Sequence, residues 1–429
     1  MEYREFPDER ADEFDAFMRY AFAPAEGPYD PEEADDQDTI AETRGLFDAA
    51  DDPVAVCAHH YFSLRIRGAD REVAGLSAVA SPPEHRRQGN VGRLLRESLA
   101  EYRDRGVHVS TLWPFEYPFY AGYGWATASR YRRLTAPPDR LGFVDDLIAT
   151  AGDDAGTFRP LDEDDYEAVK PVLAAMAERY DLTMDWTEEW WRERAVQGWK
   201  TDPFVYGWER DGDLRAICAY SFDDDVDDAD DPVLRVTDVA VADDEAWFQL
   251  LRFFRNHDSQ VVEVRIRAPP DAPLLDLVGD PRAVDCEVRT GPMVRLVDVA
   301  AALEALDPDP AVEAAFSLSV TDPLVDWNDG TFRVAVADGA VTVESVSDGE
   351  GDRAEDERTK AEAADAPDAP DASVDVGTLS QLYVGYKSVD EAVRSDGLAV
   401  GSATAANSPT AADLRAVFPP RRTHLREGF

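Results

Sequence analysis

Lysine is nearly missing from this chain: only Lys170, Lys200, Lys360 and Lys387 carry the ammonium side chain among 429 residues. Basic residues are scarce altogether, 43 Lys and Arg against 89 Asp and Glu, for a formal net charge of −46. A surface of that sign repels phosphodiester backbones, and no sizeable basic face is evident, so nucleic acid is excluded as the expected partner. Cysteine is scarce too. Cys57, Cys218 and Cys286 lie far apart without metal-ligand spacing and read as buried small hydrophobes in a reducing compartment. No apolar run approaches the roughly 18 residues that cross a bilayer, and the N-terminus MEYREFPDER has neither a basic nor an apolar leader region. The expectation is a cytoplasmic protein with no membrane partner and no metal. Molar salt confines charge repulsion to within about 3 Å, so the acidity points to a salt-filled cytoplasm.

What is present is enough apolar side chain (44%) for packed cores, and 429 residues exceed what one core holds, so two or three domains are expected. Residues 2–6 read as a strand. Asp8 then caps a helix with Phe14, Phe17, Met18, Ala21 and Phe22 on one face. Val54–Arg67 and Glu72–Ala80 alternate around Gly68-Ala69-Asp70, a hairpin signal. A helix with Leu94, Leu95, Leu99 and Tyr102 follows, then a strand at Val107–Trp113, an aromatic turn at Phe115–Trp125, and Tyr131–Leu134 as the closing strand. This order predicts a mixed α/β (α+β) domain over residues 1–150.

Pro137-Pro138 opens a linker-like passage to about Thr157, after which the pattern recurs over 151–292. The recurrence includes helices at Asp164–Tyr180 and Thr187–Val196 and a strand-helix-strand run from Leu234 to Ile266. From Met293 a third unit, 293–429, mixes a helix with a meander of short strands, interrupted by an acidic low-complexity insertion at 347–373.

The chemistry concentrates between the apolar Val79-Ala80-Ser81 and the helix beginning near Val91. There Arg86-Arg87-Gln88-Gly89 reads as a tight basic bend leading into a helix N-terminus. Such a bend aims backbone N–H groups and the positive helix end at one spot, the arginines add charge-assisted donors, and Gly89 lets an anion approach the backbone. The predicted ligand carries a pyrophosphate. In the recurrent unit the corresponding Val241-Ala242-Asp243-Asp244-Glu245 lacks glycine and arginine and would repel one.

The run VASPPEHRRQGNVGRLL, with LWPFEYPFYAGYGW some twenty residues later, resembles the GNAT acetyltransferases, and within them the enhanced intracellular survival (Eis) branch of amine N-acetyltransferases. The resemblance covers the whole chain: two tandem GNAT-like mixed-sheet domains, the second without the cofactor bend, then a sterol-carrier-like α+β domain. It implies acetyl-CoA as cosubstrate, a primary amine as acceptor (a polycationic small molecule or a lysine side chain), and a homohexamer. Val79, Ala80 and Ser81 would pair with the pantetheine arm, Arg86, Arg87, Gln88, Gly89, Asn90, Val91 and Gly92 would hold the pyrophosphate, and Phe115 and Glu116 would meet the thioester end. Family members commonly have arginine where this chain has Gly92. Tyr120 matches the general acid, and the carboxylate of Phe429 matches the general base.

Read from the residues alone, Tyr120 also fits an aromatic plug with Phe115, Tyr117, Phe119, Tyr123 and Trp125, and Phe429 fits a frayed terminus. Two other functions stay open, a non-catalytic acyl-CoA sensor and a lipid carrier. His59 and His60 fall on opposite faces of a strand as a partly exposed pair. Trp186, Trp190 and Trp191 read as helix packing, with Trp190 or Trp191 also able to line an amine pocket. Asp30, Glu32 and Glu33 are candidates for attracting a cationic acceptor, whereas Asp35–Asp38 and Asp223–Asp231 read as acidic surface loops.

Overall fold

Three mixed sheets organise the chain in the computed structural model, which describes residues 1–32, 40–151, 156–198, 202–224, 232–346, 369–401 and 409–429. The first sheet runs, in spatial order, Glu2–Glu5, Glu42–Phe47, Pro53–Ile66, Ala69–Ala80, Val109–Leu112, Met293–Leu296 and Ala126–Thr127, with Met184–Asp185 added alongside Pro53–Ile66. Strand Glu42–Phe47 is one that the alternation pattern missed. The second sheet runs Asp285–Thr290, Arg130–Ala136, Glu263–Ala268, Pro232–Val241, Asp213–Asp224, Phe204–Arg210 and Thr157–Pro160. The third holds Ala340–Val346, Gly330–Ala337, Ala314–Thr321, Ala372–Asp375 and Leu398–Val400.

The first two sheets exchange their closing strands. Arg130–Ala136, expected to close the first unit, instead pairs with Glu263–Ala268 and Asp285–Thr290 in the second sheet. Met293–Leu296 supplies the missing closure by pairing with Val109–Leu112 and Ala126–Thr127. The passage after Pro137-Pro138 is no linker either. Helix Val144–Ala151 follows a short turn at Pro138–Leu141, and Leu141, Val144 and Ile148 are buried at helical spacing, with turn and helix both packed on helix Asp244–Arg255.

Gly124, in the aromatic turn, shows how closely the third domain is docked. Its φ of +90° suits glycine, and a Cβ there would lie 1.9 Å from Arg295 Nη1 and 2.6 Å from Val376 Cγ1 of the third domain. Arg295 is wholly buried and donates to both carboxylate oxygens of Asp322, just beyond strand Ala314–Thr321. Among the described residues all three cysteines are unpaired thiols, and Cys57 and Cys218 are buried as expected, but Cys286 is only half-buried. His59 and His60 do face opposite ways, but both are buried rather than partly exposed, because each face of their strand is covered. Low-complexity sequence ends earlier than expected, since Ala372 and Ser373 already belong to a strand paired with Ala314–Thr321. Residues 347–368 of that insertion, Glu33, Asp35–Asp38 and 225–231 lie outside the described residues.

Candidate active site

The site begins with a fault in the hairpin. Val56 pairs with Ala80 and Ala58 with Ser77, so Cys57 alone faces both Ala78 and Val79, and Ala78 takes φ +53°. This bulge bends the strand. Parallel pairing with Val109–Leu112 holds only from Val73 to Gly75, opposite Val109 to Thr111. Beyond Gly75 the two strands separate, and one edge of Leu76–Ala80 faces a cleft instead of another strand.

The chain leaves that strand through the basic bend, whose side chains shape it from within. Arg86 Nε donates to the Ser81 carbonyl at 2.8 Å, Gln88 Nε2 to that of Glu84 at 2.8 Å, and Asn90 Nδ2 to that of His85 at 3.0 Å. Arg87 (φ +59°) and Gly89 (φ +81°) are both left-handed. Among the described residues, none beyond Gly89 and its chain neighbours comes within 4 Å of where a Gly89 Cβ would stand, so it is the backbone angle, not crowding, that favours glycine here. Gly89 caps helix Asn90–Asp104 without a side-chain hydrogen bond, and the first turn holds no acidic residue. The leading N–H groups are therefore left for an external acceptor at the positive end of the helix, in a backbone concavity suited to an anion. The helix is held in place by Leu94, Leu95, Leu99 and Tyr102, all fully buried.

Strand edge, bend and helix start together line a cleft of about 560 Å³. Of the residues expected to hold a cofactor, Val79, Ala80, Ser81, Arg86, Arg87, Gly89, Asn90, Val91, Gly92 and Phe115 line it. Gln88 and Glu116 do not: Gln88 is spent on the bend, and Glu116 is an exposed residue preceding the short helix Tyr117–Ala121. The sequence reading missed Ala21 and Phe22 from the first helix, His85, Phe119 and Tyr123 as lining residues. Tyr123 had a signal in Gly92. A Cβ on Gly92 would lie 2.9 Å from the Tyr123 hydroxyl, so the phenol fills space that a side chain at position 92 would need.

Tyr120 sits behind the cleft wall rather than in it, 3% exposed, with its ring 5.6 Å from that of Phe115 and 5.1 Å from that of Phe119. Burial raises its phenol above the ordinary range, so it stays protonated at any physiological pH. The C-terminal segment reaches the same region from the other side. Asp181 and His424 exchange backbone hydrogen bonds with the tail and with each other's segment (Asp181 N to Arg422 O, 2.7 Å; His424 N to Asp181 O, 2.8 Å). Further along, Trp113 Nε1 donates to the Glu427 carbonyl at 2.7 Å and Trp186 Nε1 to its carboxylate at 2.8 Å. The Phe429 ring ends against Phe62 (5.0 Å) and His60 (5.7 Å), in the space that a Cβ on Gly75 would occupy. Gly75 is the last paired residue before the strands part, so the tail is not frayed. It ends at the separation point.

A second pocket, about 360 Å³, opens between the tail and the second sheet. Trp186, Trp190 and Trp191, buried as expected, form one wall; Arg194, Arg267, Arg426, Asp238 and Glu427 supply its charges. Asp30 and Glu32 line neither pocket.

With this geometry in view, the likenesses to known proteins are coherent. Residues 2–128 and 182–296 each match a GNAT acetyltransferase domain, and residues 299–426 match a sterol carrier protein domain. An uncharacterized N-acetyltransferase from Streptomyces griseus is 29% identical over 300 residues, 66% of this chain and 70% of the relative. Among solved structures, a GCN5-related N-acetyltransferase from Anabaena variabilis superposes with TM-score 0.75 at 17% identity, and Eis1 from Mycobacterium abscessus with TM-score 0.69 at 21% identity; both alignments cover 100% of each chain.

Proposed function

Because this chain belongs to the GNAT acetyltransferases and carries a sterol carrier protein domain at its C-terminal end, we propose that it transfers the acetyl group of acetyl-CoA directly to a primary amine. The observation that carries this reading is the parting of Ala69–Ala80 from Val109–Leu112 immediately beside an uncapped, arginine-bearing helix start. The free edge of Val79–Ser81 suits an extended amide-bearing arm, which adds to it as a strand would. The N–H groups at Gly89–Gly92, with Arg86 and Arg87, suit a diphosphate.

In the reaction the amine nitrogen bonds to the acetyl carbon and the carbon–sulfur bond breaks. Tyr120, for which the covering rings of Phe115 and Phe119 must give way, passes its proton to the departing thiolate, and the terminal carboxylate of Phe429 takes the proton lost by the amine, directly or through water. A terminal carboxylate has an ordinary pKa of about 3.5, low for a base, so this role requires surroundings that raise it. The Val79 N–H polarises the acetyl carbonyl. The reading includes a homohexamer working in a salt-rich cytoplasm, with polycationic amines or protein lysines as the acceptor classes that the family resemblance implies.

Calorimetric titration of acetyl-CoA in molar salt, followed by thiol release with a panel of amines, tests it. Micromolar binding with amine-dependent thiol release is expected. Binding without release would leave a sensor, and lipid uptake without acetyl-CoA binding a carrier.

A further inference from the structure

The charge of the second pocket runs against that of the whole molecule. In a chain with twice as many acidic as basic residues, it gathers Arg194, Arg267 and Arg426 against Asp238 and Glu427. Both carboxylates are already engaged: Arg426 Nη1 donates to Asp238 at 2.8 Å, and Glu427 accepts from Trp186 Nε1 at 2.8 Å with Arg426 Nε 3.1 Å away. Burial raises the Glu427 carboxyl, against the lowering pull of Arg426.

Arg267 feels the charges of Asp238 and Glu427 but hydrogen-bonds to neither. Its Nε and Nη2 are buried without a hydrogen-bond partner among the described residues, while its guanidinium lies 4.5 Å from the Trp113 ring centre and 4.7 Å from that of Tyr131. Those ring faces hold the cation in place and leave its in-plane donors unused. Buried donors of a charged group are costly to leave unmade, which is the mark of a site completed by a ligand. Trp113 directly follows the strand that parts from Ala69–Ala80, and Phe115, two residues on, lines the proposed acetyl-CoA cleft. The pocket also touches Gly428, next to the proposed base. Trp190, Val205, Ile217 and Ala219 make much of the remaining wall apolar, with the hydroxyl residues Ser221 and Thr237 beside them.

Resting on the acetyl-transfer part of the reading above and replacing the acceptor classes that the resemblance implies, we propose that this pocket seats the carboxylate of the acceptor on Arg267, so that the preferred substrate is a small amino acid-like molecule with an apolar body and one amine, rather than a polycation. A planar guanidinium matches a carboxylate with two parallel hydrogen bonds, and an ammonium-rich acceptor would instead meet unpaired positive charge. Arg267 is thus a specificity-determining residue that acts on binding.

The test uses the full chain and paired probes that differ only in the acid: L-phenylalanine and L-leucine against their carboxamides, with spermidine as the polycation. The acids should exceed the amides at least tenfold in kcat/KM, mainly through KM. Arg267→Gln should abolish that preference, and Arg267→Lys should restore part of it. Amides or spermidine equal to or better than the acids would overturn the proposal while leaving acetyl transfer intact. Calorimetry with N-acetyl-L-phenylalanine and its amide supplies a readout without turnover. If no amine releases thiol, the acetyltransferase reading fails by itself, and tighter binding of the N-acetyl acid than of its amide, lost in Arg267→Gln, would still uphold the anion site. Equal or absent binding of the pair would sink it.

Discussion

The bend at Arg86–Gly89 and its counterpart at Val241–Glu245 occupy the same place in two related domains. Each follows a strand that pairs in parallel with the next one, Ala69–Ala80 with Val109–Leu112 and Pro232–Val241 with Glu263–Ala268, and each enters a helix. They differ in who satisfies that helix. In the second domain Asp243 caps it, accepting from Ala246 N at 2.9 Å, and Asp244 and Glu245 fill the first turn. Arg215 pairs with Asp243 and Arg210 with Glu245, so even the countercharges are internal. Trp247 and Tyr180 close over the adjoining space, leaving about 10 Å³ where the first domain has about 560 Å³. In the first domain every one of these internal partners is missing. A few residues thus decide whether a helix start is finished by its own chain or offered to an anion.

The sharpest way to break this comparison is to move the second domain's solution into the first. Gly89→Asp puts a carboxylate at the cap, a residue that tolerates the left-handed angle better than most. Its oxygen would take the N–H groups that the proposal assigns to the diphosphate and add repulsion. Losing two charge-assisted hydrogen bonds at about 1.5–3 kcal/mol each predicts acetyl-CoA affinity weakened roughly 10²-fold or more. Calorimetry measures it, and an unchanged Kd would falsify the assignment of the bend.

Tyr120 is the next difference. It has no counterpart in the second domain, where the strand Glu263–Ala268 runs into Pro269 and an irregular segment. Tyr120→Phe should lower kcat roughly 10²-fold and leave acetyl-CoA affinity nearly intact. Loss of binding together with turnover would mean that the ring merely packs Phe115 and Phe119. The tail is a smaller lever, because water can relay a proton. Two residues added after Phe429 should lower kcat by about 10-fold, with acetyl-CoA binding unchanged; full activity of such a variant would remove the terminal carboxylate from the chemistry.

The difference between the two bends could be read from sequence because it is local: glycine and arginine on one side, three acidic residues on the other. The helix over Asn90–Asp104 was readable for the same reason, through its leucine stripe. What escaped depends on segments far apart in the chain. The exchange of Arg130–Ala136 for Met293–Leu296 leaves no trace in either strand, since alternation states which face is buried and not which sheet buries it. Helix Val144–Ala151 was hidden by the prolines before it and by Asp145 and Asp146 within its first turn. The burial of His59 and His60 required cover from helix Asn90–Asp104 on one face, where Ser98 Oγ lies 3.1 Å from His59 Nε2, and from the tail on the other. Arg194, Arg267 and Arg426 meet only because a π-helical turn, a strand and the C-terminal segment converge, which no window of sequence contains.

The smallest expected effect tests the converse half of the comparison. If Asp243 serves only its own helix, Asp243→Ala should cost about 1 kcal/mol of stability, the usual worth of an N-cap, and leave acetyl-CoA binding untouched. Arg215 would lose its partner as well, but both side chains are partly exposed, so that ion pair adds little. Denaturation of the intact protein in fixed salt measures the first quantity and calorimetry the second. A stability loss near that size with an unaltered Kd would identify Asp243 as a structural cap. A weakened Kd would mean that the second domain's helix start reports to the first domain's cleft, and the two bends could then no longer be treated as independent solutions.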